Sequence, residues 1–153
     1  MSVNKIDDEK FVKTYEEFSK ILKKVSLLSK KELNQINSLG ENFLHFAVMD
    51  RNIKLIKELL KCGIDIDKVD NCGETPLSTA VVIGDEFVVK ALIGAGANIK
   101  KRYYLGNTLL HIAKENHYND IYNLLINFDP ALKNIKNELG EFPDDIDCCN
   151  KEV

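Results

Sequence analysis

Asn71-Cys72-Gly73-Glu74-Thr75-Pro76-Leu77-Ser78-Thr79-Ala80 decides how this chain folds. Gly73 sits where a tight turn needs φ > 0. Thr75 and Pro76 read as a helix start, with Thr at the N-cap and Pro at the first helical position. Leu77 and Ala80 open an apolar helical face. The same punctuation recurs in Gly40-Glu41-Asn42-Phe43-Leu44-His45-Phe46-Ala47 and in Gly106-Asn107-Thr108-Leu109-Leu110-His111-Ile112-Ala113, with a worn copy at Gly140-Glu141-Phe142-Pro143. Glycines 40, 73, 106 and 140 lie 33, 33 and 34 residues apart. That period predicts a solenoid, because one such unit cannot bury its own apolar face.

Between these glycines each unit reads as two short helices. In the first, Phe43, Leu44, Ala47 and Val48 form one face, Asp50-Arg51-Asn52 breaks it, and Ile53, Leu55, Ile56, Leu59 and Leu60 form a second helix ending at Cys62-Gly63. The alternation Ile64-Asp65-Ile66-Asp67 predicts a short extended segment. The second unit places Leu77, Ala80 and Val81 on helix one, Gly84-Asp85 at the turn, Phe87, Val88, Ala91, Leu92 and Ile93 on helix two, and a stop at Gly94-Ala95-Gly96. In the third, His117-Tyr118-Asn119 is the turn, Ile121, Leu124, Leu125 and Ile126 lie on helix two, and Asp129-Pro130 ends it, since Pro cannot continue a helix.

Residues 8–29 are helical in pattern, with Phe11, Tyr15, Phe18, Leu22, Val25 and Leu28 spaced by three or four. Two arrangements fit. One is a single long amphipathic helix, which spans too few heptads to argue a coiled coil. The other subtracts 33 from the next unit, so that Phe11 matches Leu44, Leu27 matches Leu60, Leu33 matches Ile66 and Ile36 matches Val69. This favoured arrangement is a degenerate repeat of two helices, with Ser19 near the turn and Lys20, Lys23, Lys24, Lys30 and Lys31 on a polar outer face that suits a terminal cap. At the other end Asp144, Asp145 and Asp147 occupy positions where earlier copies have Leu, His or Ser, and Ala. One short helix is expected there, with carboxylates near its N-terminus.

A chain of 153 residues fits one domain. The net charge of −3, with Arg only at Arg51 and Arg102, argues against nucleic-acid binding. Cys62, Cys72, Cys148 and Cys149 make no Cys-x-x-Cys pair, which reads as free thiols in a reducing compartment. No apolar stretch approaches the roughly 18 residues of a membrane span, and the first residues lack the apolar run of a signal peptide. A cytoplasmic monomer that binds neither membrane nor nucleic acid is expected; export without an amino-terminal signal stays open.

Asp70-x-x-Gly73-x-Thr75-Pro76-Leu77-x-x-Ala80, then Gly84-Asp85, Val88-Val89, Leu92-Ile93 and Gly96-Ala97-Asn98-Ile99, resembles the ankyrin repeat almost position for position. The resemblance covers about residues 37–147, and 8–36 more weakly. It implies an all-α solenoid of antiparallel helix pairs with projecting β-turn loops: a degenerate cap at 8–36, repeats at 37–69, 70–102 and 103–136, a partial cap at 137–147 and a tail at 148–153. Departures are Ser78 where the family prefers His, Asn42 in place of the capping Thr, and Leu109 in place of Pro. The resemblance implies no shared catalytic residues and no cofactor. It implies a protein partner, bound through loop tips and the concave inner-helix face. The degenerate ends argue against a fragment of a longer array.

Three constellations bear on chemistry. His45 and His111 hold one repeat position, where the family's His ties repeats together, and His117 is expected to be exposed. Gly94-Ala95-Gly96 closes a helix and lacks the Lys-Ser or Lys-Thr of a phosphate loop. The acidic cluster Glu138, Glu141, Asp144, Asp145 and Asp147 lacks the alternation of a calcium loop and reads as a solvated cap. No nucleophile–base pair or metal set is visible, so an enzyme is not expected.

Function is therefore sought at the tips. The candidate partner-binding residues are Asn71, Cys72, Glu74, Tyr103, Tyr104, Leu105 and Asn107, with Val82, Ile83, Glu115 and Asn116 at the inner-helix ends. Tyr103 stands where the family prefers a turn-stabilising Asp, and two adjacent tyrosines suit a binding hot spot; the alternative is that the rings pack on the neighbouring loop. An adaptor or inhibitor is the leading expectation, a toxin-neutralising or host-directed bacterial or viral protein the alternative.

Overall fold

The repeat's helix start is a reciprocal pair of hydrogen bonds recurring at 33-residue intervals. Asn42 Oδ1 accepts the N–H of His45 while His45 Nδ1 accepts that of Asn42. Thr75 and Ser78 exchange the same two bonds, Ser78 Oγ taking the Thr75 N–H at 2.8 Å, so the shorter side chain still completes the box. Thr108 and His111 form it again, and Phe142 donates its N–H to Asp145 in the worn copy. Each box satisfies N–H groups that a helix N-terminus leaves unpaired.

The protein, seen here in a computed structural model, is described over residues 5–20 and 22–146, without the side chains of Leu22 and Lys23. Readings on Asp147, Cys148, Cys149 and the tail lie outside the described residues. Eight α-helices and no strand occur among the described residues: α1 (Asp8–Lys20), α2 (Lys30–Leu33), α3 (Phe43–Met49), α4 (Ile53–Lys61), α5 (Pro76–Ile83), α6 (Glu86–Gly94), α7 (Leu109–Glu115) and α8 (Asn119–Phe128). Compact units divide at Thr79 and Ala80, inside α5.

In the Met1–Thr79 unit, α3 packs on α4, and α4 packs on the 3-10 stretch Leu22–Leu27. The core is aromatic where α1 meets α3. Phe11 stacks on Phe43 at 4.5 Å between centroids and meets Phe46 edge-on at 5.0 Å, while Phe18 meets Phe43 edge-on at 5.1 Å. Tyr15 adds a hydrogen bond from its hydroxyl to the Asp50 carboxylate at 2.6 Å.

The amino-terminal expectation needs correcting at Leu27 rather than at Ser19: α1 runs thirteen residues to Lys20, so Ser19 lies near its end, its hydroxyl bonding back to the Glu16 carbonyl. Beyond α1 come a 3-10 stretch and the single turn of α2, capped by Ser29 and Glu32. Leu27 does not match the role of Leu60; it is 84% exposed. Ile64–Asp67 is also not extended, because Asp65 Oδ1 accepts the Asp67 N–H and bends the chain into a turn.

In the Ala80–Val153 unit, α8 packs on α6 and α7. The turn between α5 and α6 needs its glycine: Gly84 has φ +76, and a Cβ there would meet the Tyr118 ring at 2.6 Å. Arg51 and His117 hold the same left-handed position in the other repeats, at φ 53 and 60. Phe87 lies on α6 as expected and is 80% exposed. The carboxyl-terminal helix is a single 3-10 turn, Pro143–Asp145, packed on α7. Asp144 is not simply at a helix end; it accepts the Tyr122 hydroxyl and pairs with Lys133 at 3.6 Å, which holds its carboxyl below the usual carboxylate range.

Candidate protein-binding surface

Each tip is a four-residue turn closed by the same backbone bonds. Gly40 N–H donates to the Asn37 carbonyl, Gly73 to Asp70, Gly106 to Tyr103 and Gly140 to Asn137. Neighbouring tips within a unit are then fastened to each other. The Asn71 N–H donates to the Leu39 carbonyl at 2.8 Å, and the Glu138 N–H to the Leu105 carbonyl at 2.9 Å. Glycine is required at the close approach: a Cβ on Gly106 would meet Glu138 Cγ at 2.8 Å. Where no earlier tip precedes, the Asp8 carboxylate takes both the Ser38 N–H and its hydroxyl at 2.6 Å. Those bonds hold the Asp8 carboxyl below its ordinary range.

In the Met1–Thr79 unit, Asn71 and Cys72 are exposed and Glu74 is half-buried. Asn71 is partly committed to the fold, its side-chain amide donating to the Ser38 carbonyl at 3.0 Å.

In the Ala80–Val153 unit, the two tyrosines part company. Tyr104 is 79% exposed, but Tyr103 is 9% exposed, with Lys101 Nζ 5.8 Å from its ring centre. The expectation that both rings face outward is corrected for Tyr103, which belongs to the loop's packing. The reason lies in side-chain alternation around the turn: an aromatic ring replaces the small Asp, and its apolar area is stabilised by burial. Asn107 is half-buried and accepts the Asn137 side-chain amide at 3.0 Å. Val82, Glu115 and Asn116 are exposed at the ends of α5 and α7, while Ile83 is half-buried. Leu139, 64% exposed at the last tip, is a binding candidate that the repeat pattern did not single out. Its place one residue before Gly140, like Leu39 before Gly40 and Leu105 before Gly106, is a signal present in the sequence.

Losing Asp at position 103 has a second effect. Asn37, Asp70 and Asn137 each brace their turn by accepting two backbone N–H groups on a side-chain oxygen. A tyrosine at 103 carries no carboxylate or amide oxygen for such a brace, and Leu105 sits in the left-handed region at φ 55. A branched side chain there costs about 1 kcal/mol or more. Leu105→Gly is therefore expected to stabilise the protein by about 0.5 kcal/mol, net of the glycine entropy cost. Urea unfolding with an unchanged m value checks it; a lowered midpoint refutes the strain.

The buried histidines act within this scaffold. His111 Nε2 faces the Glu141 carbonyl at 3.0 Å, joining α7 to the last tip. His45 is 1% exposed, and burial pushes its imidazole down to about 4. Among the described residues no group of three His, Cys, Asp or Glu side chains is placed to hold a metal ion, and no helix is long and apolar enough to cross a membrane.

No curated protein matches the chain. A family model described as ankyrin repeats, three copies, matches residues 14–103 and again 44–137. Such repeats are generally protein–protein interaction modules. With the match running from residue 14 to residue 137 and the helix-start box recurring in register through it, this chain belongs to the ankyrin repeat family.

Proposed function

We propose that this chain is a non-catalytic protein-binding module, an adaptor or inhibitor acting as a cytoplasmic monomer. Its contacts in the Ala80–Val153 unit are Tyr104 and Leu105, with Val82, Ile83, Asn107, Glu115 and Asn116. Those in the Met1–Thr79 unit are Asn71, Cys72 and Glu74. The repeat boundaries at 37, 70, 103 and 137 are part of the same proposal. One observation carries it: a large ring 79% exposed beside a leucine held at φ 55. An apolar tip that costs conformational energy and gains no burial for Tyr104 is explained by a surface that covers it. A preformed turn loses little entropy on binding.

The partner, captured from native lysate and identified by mass spectrometry, supplies the test. Tyr104→Ala is expected to weaken the purified complex by about 2 kcal/mol in calorimetry, with helicity unchanged. Unaltered affinity removes the tip from the interface. A second reading, neutralisation of a basic toxin or engagement of a host protein, draws support from the net charge of −3. A toxin gene adjoining this one favours it.

A further inference from the structure

The last two tips differ from the others in the charge that leads into them. Ile99 to Asn107 carries Lys100, Lys101 and Arg102, and Pro130 to Asn137 carries Lys133 and Lys136, with no acidic residue in either stretch. One repeat earlier, residues 66–74 hold Asp67, Asp70 and Glu74 against Lys68, and residues 33–41 hold Glu41 and no cation. A chain of net charge −3 thus gathers five positive side chains on two segments of its Ala80–Val153 unit. Three of them are occupied. Lys100 pairs with Asp129 at 2.9 Å and Lys133 with Asp144 at 3.6 Å, while Lys101 stands over the buried Tyr103 ring. Arg102 and Lys136 are exposed and pair with no carboxylate among the described residues.

Those two cations border the apolar tip. Tyr103 is extended, at φ −115 and ψ −164, and successive side chains of an extended chain point to opposite sides. Tyr103 is accordingly buried, and Arg102 and Tyr104 on either side of it are both exposed. Two bonds lace this segment to the next tip: Arg102 Nη2 donates to the Lys136 carbonyl at 2.7 Å, and the Glu138 N–H to the Leu105 carbonyl at 2.9 Å. Leu139, 64% exposed, follows directly on Glu138. Against the two cations stands the exposed Glu138, so the balance stays positive. Two neighbouring cations without a counter-ion favour an incoming anion, and a guanidinium presents its N–H groups as a planar fork matched to carboxylates. Nucleic acid would need a series of exposed rings on which to stack its bases; here one tyrosine of the pair is buried, and Leu105 and Leu139 offer no ring.

We propose that the Tyr104 tip, bordered by Arg102 and Lys136, receives a segment of the protein partner in which aliphatic residues are flanked by carboxylates. This rests on the protein-binding function above and adds the chemistry of the partner. The probe is the peptide N-acetyl-Asp-Glu-Leu-Leu-Asp-Glu amide, titrated at low salt into the intact protein while backbone amides are followed by NMR. The amides from Arg102 to Leu105 and from Glu138 to Gly140 are expected to shift and saturate, with those from Asn71 to Glu74 unmoved. N-acetyl-Lys-Lys-Leu-Leu-Lys-Lys amide should bind at least about fivefold more weakly. Lys136→Gln should weaken the acidic peptide at least about threefold without lowering Tm, as should Arg102→Gln. Because Arg102→Gln gives up a bond to the backbone, Lys136→Gln decides the matter if the Arg102 variant fails to fold. Lys30→Gln, the same charge change in the other unit, should stay within twofold of the parent. Equal binding of the two peptides, absence of saturation, an unaffected Lys136→Gln protein, or tighter binding of decathymidylate than of the acidic peptide overturns the proposal. Tyr104→Ala acting on the partner complex reads the apolar contact, and Lys136→Gln acting on the peptide reads the charge, so the two readings fail separately.

Discussion

Phe11→Ala is expected to lower stability by about 4 kcal/mol, through lost transfer energy and a cavity that its neighbours fill only in part. Phe11 is fully buried and is the hub of the aromatic cluster, touching Phe43 and Phe46 at 4.5 and 5.0 Å between ring centres. Edge-to-face and stacked pairs add about 0.5–1.5 kcal/mol each beyond area. For a chain of this size the loss corresponds to a fall in Tm of about 10 °C. Val12, the next residue on α1, is largely exposed, so Val12→Ala should change stability by no more than about 0.5 kcal/mol. Calorimetric scans of the two variants check the pair. Equal effects would mean that α1 is not docked through Phe11.

Acid should weaken the fold in a window set by His45. Its folded imidazole is held down at about 4 by burial, against an ordinary value of 6.5. The unfolded chain therefore takes up a proton as pH falls below 6.5, while the folded chain does not until pH approaches 4. Stability is unaffected by this group at neutral pH and declines as pH falls through that interval. The slope approaches about 1.4 kcal/mol per pH unit, for a total of roughly 3 kcal/mol. Asp8, Glu32, Asp129 and Asp144 act in the opposite chemical sense but the same direction of pH: their carboxyls are lowered in the fold, so their contribution is lost only as pH drops below the ordinary carboxylate range. The two windows are separable. Urea unfolding at about pH 6.5, 5.5 and 4.5 should show the slope in the parent. His45→Ser, carrying the residue found at the same position in the next repeat, should show little slope there, whatever its absolute stability. An unchanged slope would assign the acid effect elsewhere.

Much of the fold was legible because its signals are local. The helix-start boxes, the left-handed glycines and the spacing of apolar residues each depend on residues a few positions apart. The amino-terminal helix was harder. The 33-residue register placed Phe11 in the core and the end of α1 near Ser19, but it gave Leu27 the place of Leu60, whereas the segment after α1 folds as a 3-10 stretch that leaves Leu27 exposed. The tips were legible as exposed turns, yet which tyrosine faces out was not. Tyr103 and Tyr104 are identical residues in adjacent positions, and only the loop's path over the 103–107 turn turns one ring inward.

By itself the amino-acid sequence determined the family, the helix pairs and the places where tips occur, since period, capping and turn chemistry act over short stretches of chain. Tertiary structure decided which acceptors go unpaired. Asp70 in place of an asparagine looks like a minor change in the sequence. Only the packing around that turn buries Glu74 Oε2 and withholds a donor from it, because burial and hydrogen-bond reach are properties of neighbours distant along the chain.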